Sequence, residues 1–172
     1  MKYALLFSLL LTFVEANLID LHSFQADFKQ SITDDKQKIL NYKGKVIATK
    51  PQNALWNYTY PISKLVYINS RTVTIVEPEL EQVIIKNIES NFDFFKLVQN
   101  AQKISKQKYE TFYKETRFFI KTDKNEIIES ISYKDEFEND VVIHFSNQII
   151  NKPLNAEIFI PNVPLDYDVI RD

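Results

Sequence analysis

The sequence predicts one mainly β domain, built as a single antiparallel sheet, a barrel or a sandwich. Three observations carry that prediction. Short runs of alternating apolar and polar residues follow one another at a spacing of roughly 8 to 12 residues. Clusters of Asn, Asp, Lys and Pro punctuate them. The 172 residues, 45% hydrophobic and 26% charged, suffice for one real core, and neither a repeat nor a compositional break divides them.

Taken in order, residues 1–16 read as a signal peptide. Lys2 supplies a basic start, Ala4 to Val14 form an apolar run, and Val14 and Ala16 occupy the −3 and −1 positions of a cleavage site. That run is too short to cross a hydrocarbon layer of ~30 Å as a helix. Asn17 follows where a lipoprotein would carry cysteine. Residues 17–172 are therefore expected to be an exported, soluble single domain. Leu18, Ile19, Leu21 and His22 have the spacing of a short amphipathic helix.

From Phe24 to Ile32 the apolar residues Phe24, Ala26, Phe28 and Ile32 share a parity with Gln30, the pattern of a half-buried antiparallel strand. Asp34-Asp35 makes a turn, and Leu40, Tyr42, Gly44, Val46 and Ala48 keep one parity up to Lys50. Pro51 stops that strand, Ala54 to Tyr60 makes the next, and Pro61 ends it. Leu65 to Ile68, Thr72 to Val76 and Gln82 to Ile85 continue at hairpin spacing, with Asn69-Ser70 and Glu77-Pro78 as turns. The pattern then changes: Asn91 to Gln102, with Phe94, Phe95, Leu97 and Val98, predicts a helix packed on the sheet. Tyr109 to Tyr113, Arg117 to Lys121, Ile127 to Tyr133, Val141 to Ser146 and Ala156 to Ile160 read as the remaining strands.

The same residues exclude most chemistry. Gly44 is the one glycine, so phosphate-binding loops, the dinucleotide fingerprint and the nucleophile elbow are absent. Without cysteine, and with only His22 and His144, there is no thiol nucleophile, disulfide framework or Cys/His zinc site. A net charge of −2 gives no global attraction to nucleic acid. Glu77, Glu79 and Glu81 share a side in extended chain, but nothing around them creates the unequal environments that acid–base pairs need. They read as a solvated face, as do Lys103, Lys106 and Lys108; the sequon at Asn57 lies inside a strand. No enzyme emerges and no cofactor or metal is expected.

What the chain has in excess is aromatic residues: 13 Phe, 9 Tyr and one Trp. Phe24, Phe28, Tyr42, Trp56 and Tyr58 fall on strand faces that also hold Gln30 and Lys50. A dry core ordinarily excludes lysine, whereas an apolar ligand site with a few polar groups at its rim accommodates one.

Phe24-Gln25-Ala26-Asp27-Phe28-Lys29-Gln30, Tyr42-Lys43-Gly44-Lys45-Val46 leading to Lys50-Pro51, and Leu55-Trp56-Asn57-Tyr58 with Pro61 together resemble the periplasmic outer-membrane lipoprotein carrier family, LolA. The likeness continues through Glu77-Pro78-Glu79-Leu80-Glu81-Gln82 and Phe159-Ile160-Pro161 to Pro164-Leu165-Asp166-Tyr167-Asp168-Val169-Ile170. The resemblance implies an unclosed, strongly curved antiparallel β-barrel of about eleven strands with a lid of short α-helices over a concave apolar face. It implies a periplasmic monomer that takes acylated lipoproteins from an inner-membrane, lipoprotein-releasing ABC transporter and delivers them to the outer membrane, through an acceptor there if one is present. Another lipid or small apolar ligand on the same scaffold is the alternative. By the same resemblance Phe24, Phe28, Tyr42, Val46, Trp56 and Tyr58 would line the acyl cavity, and Phe94, Phe95 and Leu97 would form the lid. Lys50 stands where members commonly carry the arginine that latches the lid to backbone carbonyls. A lysine offers a mobile point charge in place of a planar fork.

Overall fold

The structure is a computed structural model and describes residues 20–69, 71–87 and 93–171. The expected signal peptide, Leu18 and Ile19, Ser70 of the predicted turn, and Asn91 and Phe92 of the predicted helix lie outside these residues.

Among the described residues, twelve strands form one sheet. They are β1 (Ser23–Thr33), β2 (Ile39–Thr49), β3 (Asn53–Tyr60), β4 (Lys64–Asn69), β5 (Thr72–Glu77), β6 (Gln82–Asn87), β7 (Gln102–Ser105), β8 (Lys108–Tyr113), β9 (Thr116–Thr122), β10 (Ile128–Lys134), β11 (Asp140–Ile150) and β12 (Asp168–Arg171). Their order is β12-β6-β5-β4-β3-β2-β1-β11-β10-β9-β8-β7. Two meanders thus meet where β1 pairs with β11, and the final strand adds in parallel to the β6 edge.

This corrects the expected unclosed, strongly curved antiparallel barrel, because the sheet is not strongly curled and its last strand runs parallel to β6. The sheet is open and mixed, with β12 at one edge and β7 at the other and no ladder joining them. The expected lid of helices is likewise absent among the described residues: there is one α-helix, α1 (Phe94–Gln99), and two single 3₁₀ turns, Pro78–Leu80 and Ala156–Phe159. Asp20 to His22 are not helical. Leu21 is buried in the core, and the backbone N–H of His22 is held at 2.7 Å by Asn151 Oδ1, which fixes this segment as the approach to β1.

The first meander follows the alternation read from the sequence. In β1, Phe24, Ala26 and Phe28 are buried on the face that packs against α1, and Val46 and Ala48 of β2 join them. β11 continues with Val141, Ile143 and Phe145 until Asn147, at φ 52°, marks an irregularity in its pairing with β1. The main core lies on this face. A smaller one occupies the other face at Tyr67, Val76 and Val83, where Val163 and Tyr167 of the carboxy-terminal segment cover them.

A chain with one glycine still has to turn. Three hairpins use a common device: an aspartate whose Oδ1 accepts two backbone N–H groups, followed by a non-glycine residue in the left-handed region. Asp34 accepts from Lys36 and Lys38 at 2.9 and 2.8 Å, with Gln37 at φ 65°. Asp123 accepts from Asn125 and Ile127 at 2.8 and 2.9 Å, with Glu126 at φ 63°. Asp135 accepts from Phe137 and Asn139 at 2.9 and 3.0 Å, with Glu138 at φ 62°. Each carboxylate supplies local hydrogen bonds that offset the steric cost of the left-handed residue.

The remaining differences have local causes. Ala156 to Phe159 is a 3₁₀ turn and not a strand, because the Asn155 side chain accepts the Glu157 N–H at 3.0 Å and caps it. The helix is shorter than its apolar pattern. Asp93 starts it by accepting the N–H groups of Phe95 and Lys96, and after Asn100 and the buried Ala101 the chain runs out into β7.

A candidate apolar binding cavity

Between α1 and the sheet lies an open cavity of about 340 Å³. Strand parity builds its walls. Phe24 of β1, Val46 and Ala48 of β2, Ala54 and Trp56 of β3 and Ile68 of β4 face it from the first meander. Phe118 of β9, Ile131 and Tyr133 of β10 and Ile143 and Phe145 of β11 face it from the second. The helix contributes Phe94, Phe95 and Leu97, and apart from the Trp56 indole N–H and the Tyr133 hydroxyl the polar residues of the lining are Gln52, Asn53 and Asp93.

Ring contacts set the shape of the wall. Phe24 meets Phe145 edge-on at 5.2 Å and Phe94 at 5.5 Å, so one ring links β1, β11 and the helix. Phe95 and Leu97 are buried, 4% and 5% exposed, whereas Phe94 is half-buried. Asp93, 8% exposed, is held by the helix N–H groups, and Gln52 Nε2 lies 3.5 Å from its second oxygen. The carboxylate in the lining is therefore already engaged within the protein.

Six of the residues singled out in the sequence come together on this cavity: Phe24, Val46, Trp56, Phe94, Phe95 and Leu97. Phe28, Tyr42 and Tyr58 do not line it. Phe28 is 2% exposed and lies edge-on to Trp56 at 4.9 Å and to Tyr58 at 5.0 Å. It backs the wall. Tyr58 donates to Gln30 Oε1 at 3.2 Å and meets Tyr42 at 5.9 Å. Burial, with the neighbouring Tyr133 and Tyr42 hydroxyls, pushes the Tyr58 phenol up to about 12. Gly44 explains how these rings fit: a Cβ there would meet Asn57 O at 2.0 Å and Phe28 Cε1 at 2.9 Å.

Lys50 stands apart from the cavity lining. Pairing of β1 with β2 runs on to Ser23 and Thr49, and the Lys50 N–H reaches His22 O at 2.9 Å. That register sets its ammonium beside the segment preceding β1, where it donates to Asp20 Oδ1 at 2.9 Å. The hydrogen bond from Lys50 lowers the Asp20 carboxyl. Among the described residues, its hydrogen-bond partner is this carboxylate and not a carbonyl of the helix.

The wall residues that sequence reasoning missed, chiefly Phe118, Ile131, Tyr133, Ile143 and Phe145, all lie on the second meander. Their parity was readable, but the adjacency of β1 and β11 that brings them to the cavity was not.

Comparison with known proteins agrees with this architecture. Residues 20–162 match the family described as outer membrane lipoprotein carrier protein LolA. The chain is 39% identical over 153 residues to the outer-membrane lipoprotein carrier protein of Campylobacter jejuni, covering 89% of each. It is 33% identical to that of Wolinella succinogenes, covering 87% of each. Among solved structures, a LolA superfamily protein from Nitrosomonas europaea shares the fold at a TM-score of 0.54 and 10% identity, over 84% of this chain and 92% of that one. With that match over most of its length and relatives this similar, the chain belongs to the LolA family of outer membrane lipoprotein carrier proteins.

Proposed function

We propose that the chain is a non-catalytic periplasmic chaperone that shields the acyl chains of lipoproteins between the inner and outer membranes. One observation carries the reading: in a member of this family, an open cavity of about 340 Å³ is walled by aromatic and aliphatic side chains from seven neighbouring strands and one helix. Leaving an acyl chain in water costs ~0.8 kcal/mol per methylene, so a lipid anchor released from a bilayer needs such a surface. Residues 1–16 would direct export and residues 17–172 would make the carrier. Phe24, Val46 and Trp56 on the sheet and Phe94, Phe95 and Leu97 on α1 would touch the acyl chain. An ABC transporter of the inner membrane would supply the cargo and an acceptor at the outer membrane would take it.

The one carboxylate of the lining, Asp93, is already engaged within the protein, so the cavity would read chain length and bulk more than the protein attached. The test is what the tag-free protein brings with it from its own periplasm. Mass spectrometry should find acylated lipoproteins; free lipid alone would favour a binder of other apolar ligands. Trp56 is the single tryptophan, so loading should shift its fluorescence, and an unchanged spectrum in a proven complex would remove it from the contact surface. Trp56→Asp should weaken binding more than folding, because a half-buried residue at an open cavity stays accessible to water.

A further inference from the structure

Phe28 and Phe145 point to the core, so Lys29 and His144, their neighbours in β1 and β11, stand on the opposite face of the sheet. On that face Lys29 is the direct cross-strand partner of Lys43 on one side and of His144 on the other. All three are exposed. With adjacent strands ~4.8 Å apart, three basic side chains occupy a row about 10 Å wide. Like charges placed directly opposite one another destabilise a sheet.

Acidic neighbours do not resolve the row. Asp27, on the same face of β1, is taken by Lys45 at 3.7 Å and Asn147 at 2.7 Å. Glu129 holds Lys121 at 2.7 Å, and Asp140 lies 3.5 Å from Lys134. Among the described residues, Lys29, Lys43 and His144 enter no ion pair, and the Lys43 ammonium lies 5.4 Å over the ring of Tyr60. The three border an open depression together with Ser31, Asn41 and Tyr60, which add hydroxyl and amide donors.

We propose that Lys29, Lys43 and His144 form a binding site for a phosphate group on the face of the sheet turned away from the apolar cavity. Two ammonium groups, an imidazole and neutral donors around one hollow suit an anion with several oxygens, which accepts from more than one of them at once. A phosphate would also neutralise the repulsion that the row otherwise carries. The site does not depend on the acyl-binding reading, since its residues and its occupant are separate from the cavity.

The experiment has two arms, both on the full mature chain. In the first, inorganic phosphate is titrated while the backbone amide signals of Lys29, Lys43 and His144 are followed by NMR, with chloride at equal ionic strength as control. In the second, flotation is measured with phosphatidylcholine vesicles that contain or lack phosphatidylglycerol. Saturable shifts with phosphate, or flotation that requires phosphatidylglycerol, are expected, weakened roughly tenfold or more in Lys29→Gln/Lys43→Gln and less in His144→Gln. Flotation assigns the group to a lipid head; phosphate binding without flotation assigns it to a free phosphate compound. Either supports the site. Absence of both, a response matched by chloride, or one unchanged in the double variant overturns it. The double variant should be at least as thermally stable as the unaltered protein, because it relieves repulsion. A clear fall in stability would show that the lysines hold the sheet together, and would also overturn the proposal.

Discussion

Replacing Gly44 by alanine puts two expectations of opposite sign against each other. Glycine within a strand costs roughly 0.5–1 kcal/mol relative to alanine through backbone entropy, so the substitution would stabilise an unconstrained site. Here the added Cβ would sit 2.0 Å from Asn57 O and 2.9 Å from Phe28 Cε1. The ring can give a few tenths of an ångström, but the carbonyl belongs to β3 and moves only with its strand. Overpacking of this kind costs ~1–3 kcal/mol, and each ladder hydrogen bond lost as β3 shifts costs about a further 1 kcal/mol. A net loss of about 3 kcal/mol follows, which for a domain of this size lowers Tm by roughly 10 °C. Trp56 adjoins Asn57, so the same shift should disturb the cavity wall and the tryptophan emission. Differential scanning calorimetry with fluorescence measures both. A Tm that is unchanged or raised would refute the argument that close approach, and not composition, places glycine here.

Other perturbations follow the same logic. Gln37→Gly, Glu126→Gly and Glu138→Gly should each stabilise by ~0.5 kcal/mol, because relief of left-handed strain outweighs the entropy of glycine; urea titration reads the sign. Asp93→Ala removes the side-chain cap of α1 and should cost about 1 kcal/mol, seen as faster amide exchange at Phe95 and Lys96. The folded chain holds the Tyr58 proton up to about 12, so as pH rises above about 10 the unfolded chain ionises first and stability falls, levelling beyond the folded value. Tyr58→Phe should flatten that alkaline slope in denaturant titrations, and an unaltered slope would assign it to other groups. Asp135 is held below the usual carboxylate range by Asn139 and the Phe137 N–H, against the opposing effect of burial. Its contribution to stability is present above about pH 4 and fades as pH falls through its lowered pKa, and Asp135→Asn should remove that part of the acid slope.

The strands most visible in the sequence are those with one wet face and one dry face. β1 shows this most clearly, since Phe24, Ala26 and Phe28 are buried while Lys29 is exposed. β7 and β12 gave no such signal because every residue of both is exposed at a sheet edge, and an edge strand without a buried face has no alternation to read. The helix was visible from Phe94 to Val98, but its ends depend on the Asp93 cap and on where Ala101 packs. Half of the cavity was legible for a comparable reason. Trp56 and Val46 lie in consecutive strands whose hairpin follows from local sequence, whereas Ile143 and Phe145 reach the cavity only through the pairing of β1 with β11, residues more than a hundred positions apart. The barrel expectation came from family likeness and not from periodicity, which had left sheet, barrel and sandwich open.

On the proposed reading, the way an acyl chain would enter the cavity is constrained by what holds α1. Phe95, Leu97 and Val98 are 4%, 5% and 1% exposed. Exposing three such side chains costs roughly 1.5–3 kcal/mol each, a sum comparable with the whole stability of an ordinary domain. Lifting the helix from the sheet therefore competes with unfolding, and α1 acts as part of the core. Phe94 differs: it is half-buried, lies on the cavity, and is tied by ring contacts to Phe24 at 5.5 Å and Phe95 at 5.6 Å. Such contacts are worth ~0.5–1.5 kcal/mol apiece, a cost that a few buried methylenes offset. If the cavity takes the acyl chain as proposed, rearrangement of Phe94 would cost less than lifting α1, and its return to Phe24 would oppose binding by a small amount. That opposition favours release, which a carrier needs as much as uptake.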